Sequence, residues 1–236
     1  MMGAAAAREQ QYENSSHLEP VNQSRFLDRA FRYFRSRRMQ LFERTFQITS
    51  ETRILDVGGS SAIWGMARVQ PRVVLLNLPS ALERSALGYP QVGADGLQLP
   101  FADGSFDIVF SNSVIEHVGS REEQRQFAAE VRRVGRAYWV QTPNRRFPVE
   151  LHLMLPLVHF LPRRWQRALI YRFTGWEKIV KPSAAERKYY LEHFLNELNL
   201  LDRRALGELF PEARIFGERV LGLSKSLIAA RRQDGP

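Results

Sequence analysis

Asp56 is the residue of this chain whose surroundings say most about chemistry. It lies in the short apolar run Arg53-Ile54-Leu55-Asp56-Val57, which breaks at once into Gly58, Gly59, Ser60 and Ser61. A β-type run that ends in glycines reads as the first strand and nucleotide loop of a Rossmann-like sheet. Residues without Cβ admit positive φ and let a ligand approach the backbone. Helical periodicity resumes at Ala62-Ile63-Trp64, which aims the loop amides at an adenosine-type ligand. The dinucleotide fingerprint is not met, because Ser60 and Ile63 stand where its second and third glycines belong, and no Gly-Lys-Ser/Thr phosphate loop occurs. A carboxylate just ahead of the glycines repels a pyrophosphate and attracts an ammonium or a sulfonium. The ligand indicated is S-adenosylmethionine.

In an open α/β sheet, ligands bind beyond the carboxyl ends of the strands, so the residues that close each apolar run are the further candidates. Asn77 follows the run 72–76, Asp95 closes 92–95 and is followed by Gly96 and Leu97, and Ser111 with Asn112 ends the run begun at Phe106. Asp95-Gly96 also has the composition of a plain turn. Methyl transfer from a sulfonium is an in-line displacement, for which holding the reactants in place supplies about 7–11 kcal/mol. A base is required only where the acceptor loses a proton. His117 and His152 are the candidates for that base, and a structural role is the alternative for each.

Residues 93–119, GADGLQLPFADGSFDIVFSNSVIEHVG, resemble the class I S-adenosylmethionine-dependent methyltransferases of the type 11 group: an acid, a short turn, Leu-Pro-Phe, a Ser-Phe-Asp strand and Glu-His. With residues 221–229 near the end, the likeness covers roughly 53–231. It implies that Asp95 accepts a hydrogen bond from the adenine amino group, with Gly96 and Leu97 flanking the ring. It also implies that Ser111 and Asn112 lie beside the transferring methyl group. Asn77 departs from the pattern, which places an acid there for the ribose hydroxyls. Ser111-Asn112-Ser113-Val114 replaces the Asn/Asp-Pro-Pro-aromatic motif of nucleic-acid amino-methyltransferases, which argues against a base-modifying enzyme.

The elements that must position these residues follow from periodicity. Apolar runs at 53–57, 72–76, 92–95, 106–111 and 136–142 alternate with helical or turn-rich stretches, the pattern of a parallel sheet. Helices are expected over 80–87 and 120–134, the second opened by a capping box of Ser120 and Glu123. The family likeness adds a closing pair at 215–220 and 226–230. The expected fold is thus α/β, a Rossmann-like, mostly parallel seven-stranded sheet with helices on both faces and a closing antiparallel strand. Residues 25–47 describe one or two amphipathic helices with Arg32, Arg35, Arg37 and Arg38 largely outward.

Residues 1–23 read as a disordered leader and 24–236 as the catalytic domain, with 145–190 a helical cap or interfacial insert. Residues 151–161 are too short to span a bilayer and are interrupted by Pro156. Trp165, Ala168, Leu169, Arg172 and Phe173 then suggest an amphipathic helix flanked by Arg163, Arg164 and Arg167. As a cap, the insert would give a hydrophobic or lipid-linked acceptor an apolar wall, with His152 or His159 reaching inward. As an interfacial element, 147–176 would rest against an anionic leaflet. Core packing is the third reading.

Composition fits one decorated domain: 236 residues, 44% hydrophobic and 25% charged. The absence of cysteine excludes disulfides and thiolate metal sites. With no signal peptide and no long apolar run, a cytoplasmic location is expected, extending to the inner face of the membrane if the insert is interfacial. The net charge of +9 comes from 34 basic residues of which four are lysines. An RNA methyltransferase rests on that charge alone, so a nucleic-acid partner is the weaker expectation. The function expected is methyl transfer from S-adenosylmethionine to a small acceptor, hydrophobic or lipid-linked. The alternative is a binding or regulatory protein without turnover, suggested by Ser60, Ala62 and Asn77.

Overall fold

Strand alternation sorts the core into two faces of one sheet. The computed structural model describes residues 25–83, 88–150, 155–172 and 198–233. Strands β1 (Arg53–Val57), β2 (Arg72–Asn77), β3 (Gln91–Gly93), β4 (Phe106–Asn112) and β5 (Gly135–Pro143) run parallel. Beyond a two-residue pair, β6 (Val149–Glu150) and β7 (Leu155–Pro156), the chain returns as β8 (Arg214–Val220) and β9 (Leu223–Arg231). The seven long strands form one sheet in the order β3-β2-β1-β4-β5-β9-β8. β9 lies antiparallel between β5 and β8, so the closing pair is present and its first strand forms the sheet edge.

The described residues include five helices, α1 (Arg25–Phe46), α2 (Ser61–Trp64), α3 (Arg121–Val134), α4 (Arg163–Arg172) and α5 (Arg203–Leu209), of which α1, α2, α3 and α5 pack on the sheet. Ile54, Leu75, Ile108, Phe110, Trp139 and Ile228 pack on one face with Met39 and Phe42 of α1 and Trp64 of α2. Leu55, Val57, Leu76, Val109, Tyr138 and Val140 pack on the other with Phe127, Val131 and Val134 of α3 and Leu206 of α5. The first core is aromatic, with Phe42 in edge contact with Trp64, Phe110 and Trp139 at 4.9–6.2 Å between ring centres. The capping box of α3 is present: Ser120 Oγ accepts from the Glu123 amide, and Glu123 Oε2 accepts from the Ser120 amide at 2.7 Å.

Two expectations are corrected here. The helix expected over 80–87 is a 3₁₀ turn at Pro79–Ala81, after which Leu82 is extended at ψ 132°. Proline suits that first turn, but the chain leaves it at once to pair β3 with β2; residues 84–87 lie outside the described set. Arg38 is buried rather than outward, because a step of four residues places it in the same helical row as Phe42. The leader and, within the insert, residues 151–154 and 173–190 lie outside the described residues.

Candidate functional site

A cavity of about 530 Å³ opens at the carboxyl ends of β1, β4 and β5, beneath α1. Asp56, Gly58, Gly59, Ser60, Asn112 and Gln141 line it from the sheet side, Phe34, Arg35 and Arg38 from α1, and Lys225 from β9. Strand parity explains the selection. Asp56, Asn112 and Gln141 share phase with Ile54, Phe110 and Trp139 and face α1, whereas Ser111 is one residue out of phase. Ser111 is fully buried and does not line the cavity among the described residues.

The Asp56 carboxylate is fully buried. Its Oδ2 accepts from Trp64 Nε1 at 2.8 Å, while Oδ1 has no hydrogen-bond partner among the described residues. Burial pushes this carboxyl up to about 7, with the Trp64 hydrogen bond opposing the shift and Glu83 adding to it. An unsatisfied carboxylate oxygen at a cavity wall is a position that a cationic ligand group would satisfy.

The glycines are needed where they stand. Gly58 has φ +71°, and a Cβ there would come 2.4 Å from Val114 Cγ2. A Cβ on Gly59 would lie 2.0 Å from the Asp56 carboxyl carbon. Gly59→Ala is therefore expected to displace Asp56 and reduce affinity for S-adenosylhomocysteine on the order of tenfold or more in calorimetry, with little change in the circular dichroism of the fold. An unaltered affinity would remove the loop from the site. Ser60 caps α2, its side chain accepting from the Ala62 amide.

Asn77 does not line the cavity; its Nδ2 donates to the Gly59 carbonyl at 2.9 Å and so braces the glycine loop. A carboxylate there would lack that donor, which gives the departure from an acid a physical reason. The Asn77 carbonyl accepts from the Ala94 amide at 2.8 Å, tying the loop to the turn at Asp95. Asp95 Oδ1 accepts from the Leu97 amide at 2.9 Å, as a turn-forming aspartate does. Gly96 sits against Val57 and Phe127, where a Cβ would meet them at 3.0–3.2 Å. Asp95, Gly96 and Leu97 thus stand at the same sheet edge as the glycine loop, on its β2–β3 side and outside the 530 Å³ cavity.

His117 is likewise outside that cavity. It ends a 3₁₀ turn, Ile115–His117, with Nε2 3.9 Å from Oε1 of Glu116. Glu116 is fully buried, and its Oε2 accepts from the Thr142 hydroxyl at 2.9 Å. His152 falls outside the described residues.

The cavity residues not singled out as site residues from the sequence include Arg35, Arg38, Gln141 and Lys225. Arg38 donates to Glu218 through Nε at 2.8 Å and Nη2 at 2.6 Å, and through Nη1 to Asn112 and to Gln141. Arg35 and Lys225 form no ion pair among the described residues. Burial, then the nearby Arg38 charge, lowers the Arg35 guanidinium. Lys225 Nζ lies 3.6 Å from the centre of the Phe34 ring, and burial brings it down to about 8, with Glu218 pulling up and Arg38 and Arg35 pushing down.

Comparison with known proteins bears on the fold and on the stretch that carries the glycine loop. Residues 55–137 match the family model described as a methyltransferase domain. A candidate methyltransferase of Encephalitozoon cuniculi is 36% identical over 89 residues, covering 36% of this chain and 41% of that protein. The matched stretch thus spans less than half of the relative. Among solved structures, a candidate zinc-dependent alcohol dehydrogenase from Rhodobacter sphaeroides superposes with TM-score 0.60 at 10% identity over 98% of each chain. A candidate O-methyltransferase from Nostoc punctiforme gives TM-score 0.50 at 10% identity, covering 84% of this chain and 55% of that one. At such identity these likenesses establish the Rossmann-like fold alone.

Proposed function

We propose that this protein transfers a methyl group from S-adenosylmethionine to a small acceptor that is hydrophobic or lipid-linked. The observation that carries the reading is the charge pattern of the cavity among the described residues: a carboxylate oxygen of Asp56 without a hydrogen-bond partner at one wall, and Arg35 and Lys225 without ion-pair partners at another. That pattern complements a zwitterionic amino-acid group, whose ammonium would meet Asp56 and whose carboxylate would meet Arg35 and Lys225. When bound, S-adenosylmethionine supplies a methyl group activated on a sulfonium. The protein's part is to align the reactants and exclude water.

Gly58 and Gly59 let the ligand approach the backbone, Asn77 fixes the loop, and Asp95 with Gly96 and Leu97 stands ready for the adenine on the neighbouring rim. Ser111, facing away from the cavity, is assigned to packing beneath it. His117, held beside Glu116, is assigned an orienting role at the end of β4. Phe34, Ile63, Met66, Phe110 and Pro143 give the acceptor side apolar walls. Contact with a membrane surface has support in the described part of the insert, where Leu157, Phe160 and Trp165 are more than half exposed beside Arg163 and Arg164. No helix among the described residues is long and apolar enough to cross a membrane.

Calorimetry with S-adenosylhomocysteine tests the proposal. The wild type is expected to bind it, and Lys225→Gln to bind on the order of tenfold more weakly, through loss of a charge-assisted contact. Wild-type protein that binds neither S-adenosylmethionine nor its demethylated product would overturn the assignment.

A further inference from the structure

The amides of Asn112 and Gln141 hold information about the acceptor. The two residues are register partners on the adjacent strands β4 and β5, and both line the cavity. Arg38 Nη1 donates to Asn112 Oδ1 and, at 2.7 Å, to Gln141 Oε1, which also accepts from Ser113 Oγ at 2.9 Å. A guanidinium only donates. Neither amide can therefore be turned over without setting its NH₂ group against a donor, and Arg38 is itself clamped by both oxygens of Glu218. With the two oxygens committed to Arg38, Asn112 Nδ2 and Gln141 Nε2 point away from it, and neither donates to another described residue.

We infer that these paired NH₂ groups form a two-donor clamp for an oxygen of the methyl acceptor, and that the acceptor is an acid or a phenol entering as its oxyanion rather than an amine. The inference rests on the methyl-transfer reading and names the substrate class of that same cavity. The bond changes balance without a base: the bond from methyl carbon to sulfur breaks, a bond from that carbon to the acceptor oxygen forms, and the pair on sulfur leaves a neutral thioether. The oxyanion becomes a neutral ester or ether, with no proton left to remove. No histidine lines the cavity among the described residues, which suits a reaction of this kind. Arg38 acts here as a positioning residue, setting which end of each amide the acceptor meets.

The test uses the full chain saturated with S-adenosylhomocysteine, with benzoate and benzylamine as probes in thermal-shift and titration measurements. Benzoate is expected to bind the wild-type complex and benzylamine not to. Gln141→Glu keeps the acceptor for Arg38 but removes the NH₂ group, and Gln141→Met removes both amide atoms without adding charge. Each is expected to lose benzoate affinity on the order of tenfold while holding S-adenosylhomocysteine as the wild type does. Retained benzoate affinity in Gln141→Met would show that charge alone attracts it and would overturn the clamp. So would binding of benzylamine, or no binding of benzoate to the loaded wild type. Failure of S-adenosylhomocysteine itself to bind counts against the methyl-transfer reading instead.

Discussion

Asp56→Asn is expected to abolish most cofactor affinity while making the unliganded protein more stable at neutral pH. The carboxyl is fully buried, and burial raises it from 3.8 to about 7. Between those two pH values the folded chain holds a proton that the unfolded chain has released, so stability falls as pH rises through this window. Below it the carboxyl is neutral in both states, and the penalty vanishes. At about 1.4 kcal/mol per pH unit, the shift corresponds to up to about 4 kcal/mol against folding once pH exceeds the folded value. Asn keeps an oxygen for the Trp64 indole and never ionises, so the variant's urea midpoint should exceed that of the wild type at pH 8 and match it near pH 4. Binding should show the opposite sign. A cationic ligand group needs the ionised carboxylate, and its removal is expected to cost on the order of 100-fold in affinity for S-adenosylhomocysteine. Wild-type affinity should rise as pH approaches 7 and decline above about 8, where Lys225 loses its charge. Equal affinities of variant and wild type across that range would separate Asp56 from ligand binding.

The sequence made Asp56 legible because glycines and an acid leave few other readings, and the strand limits of β1 coincide with those expected from its apolar run. What it did not show was the partner. Trp64 looks like an ordinary apolar residue of the next helix, and nothing local reveals that its indole satisfies one carboxylate oxygen and leaves the other. The end of β4 was legible in position but not in phase. Alternation from Ile108 and Phe110 puts Asn112 on the α1 face and Ser111 on the other, and the same count from Ala137 and Trp139 reaches Gln141. That polar residue in phase with two core residues was the available signal for Gln141. Arg38 shows the limit of reading charge as exposure. Its place four residues before Phe42 marks the inner row, but the carboxylate that makes burial tolerable comes from β8, 180 positions away. Asn77 was legible as a rim residue, while its bond to the Gly59 carbonyl depends on how two loops meet.

Arg38→Met is expected to cost about 3–5 kcal/mol of stability, because it strands the Glu218 carboxylate in a site where that side chain is 12% exposed. Burial pushes this carboxyl up, but the hydrogen bonds and charge of Arg38, with help from Ser226 and Lys225, hold it below its usual range. A carboxyl lowered by folding stabilises the native state above its unfolded value and loses that contribution as pH falls through the folded one. The difference between Arg38→Met and the wild type should therefore be full at pH 7 and shrink in acid. Urea unfolding at several pH values measures it. The double variant Arg38→Met/Glu218→Leu should recover most of the loss, since two apolar side chains leave no charge unpaired. The cavity should not recover with it. Without the guanidinium, the Asn112 amide loses its donor among the described residues and the Gln141 amide keeps only Ser113 Oγ, so benzoate affinity of the S-adenosylhomocysteine complex should remain low in the refolded double variant. A double variant that regains both stability and benzoate binding would leave Arg38 as a packing residue alone; stability without binding is the outcome that its four side-chain bonds to Glu218, Asn112 and Gln141 lead us to expect.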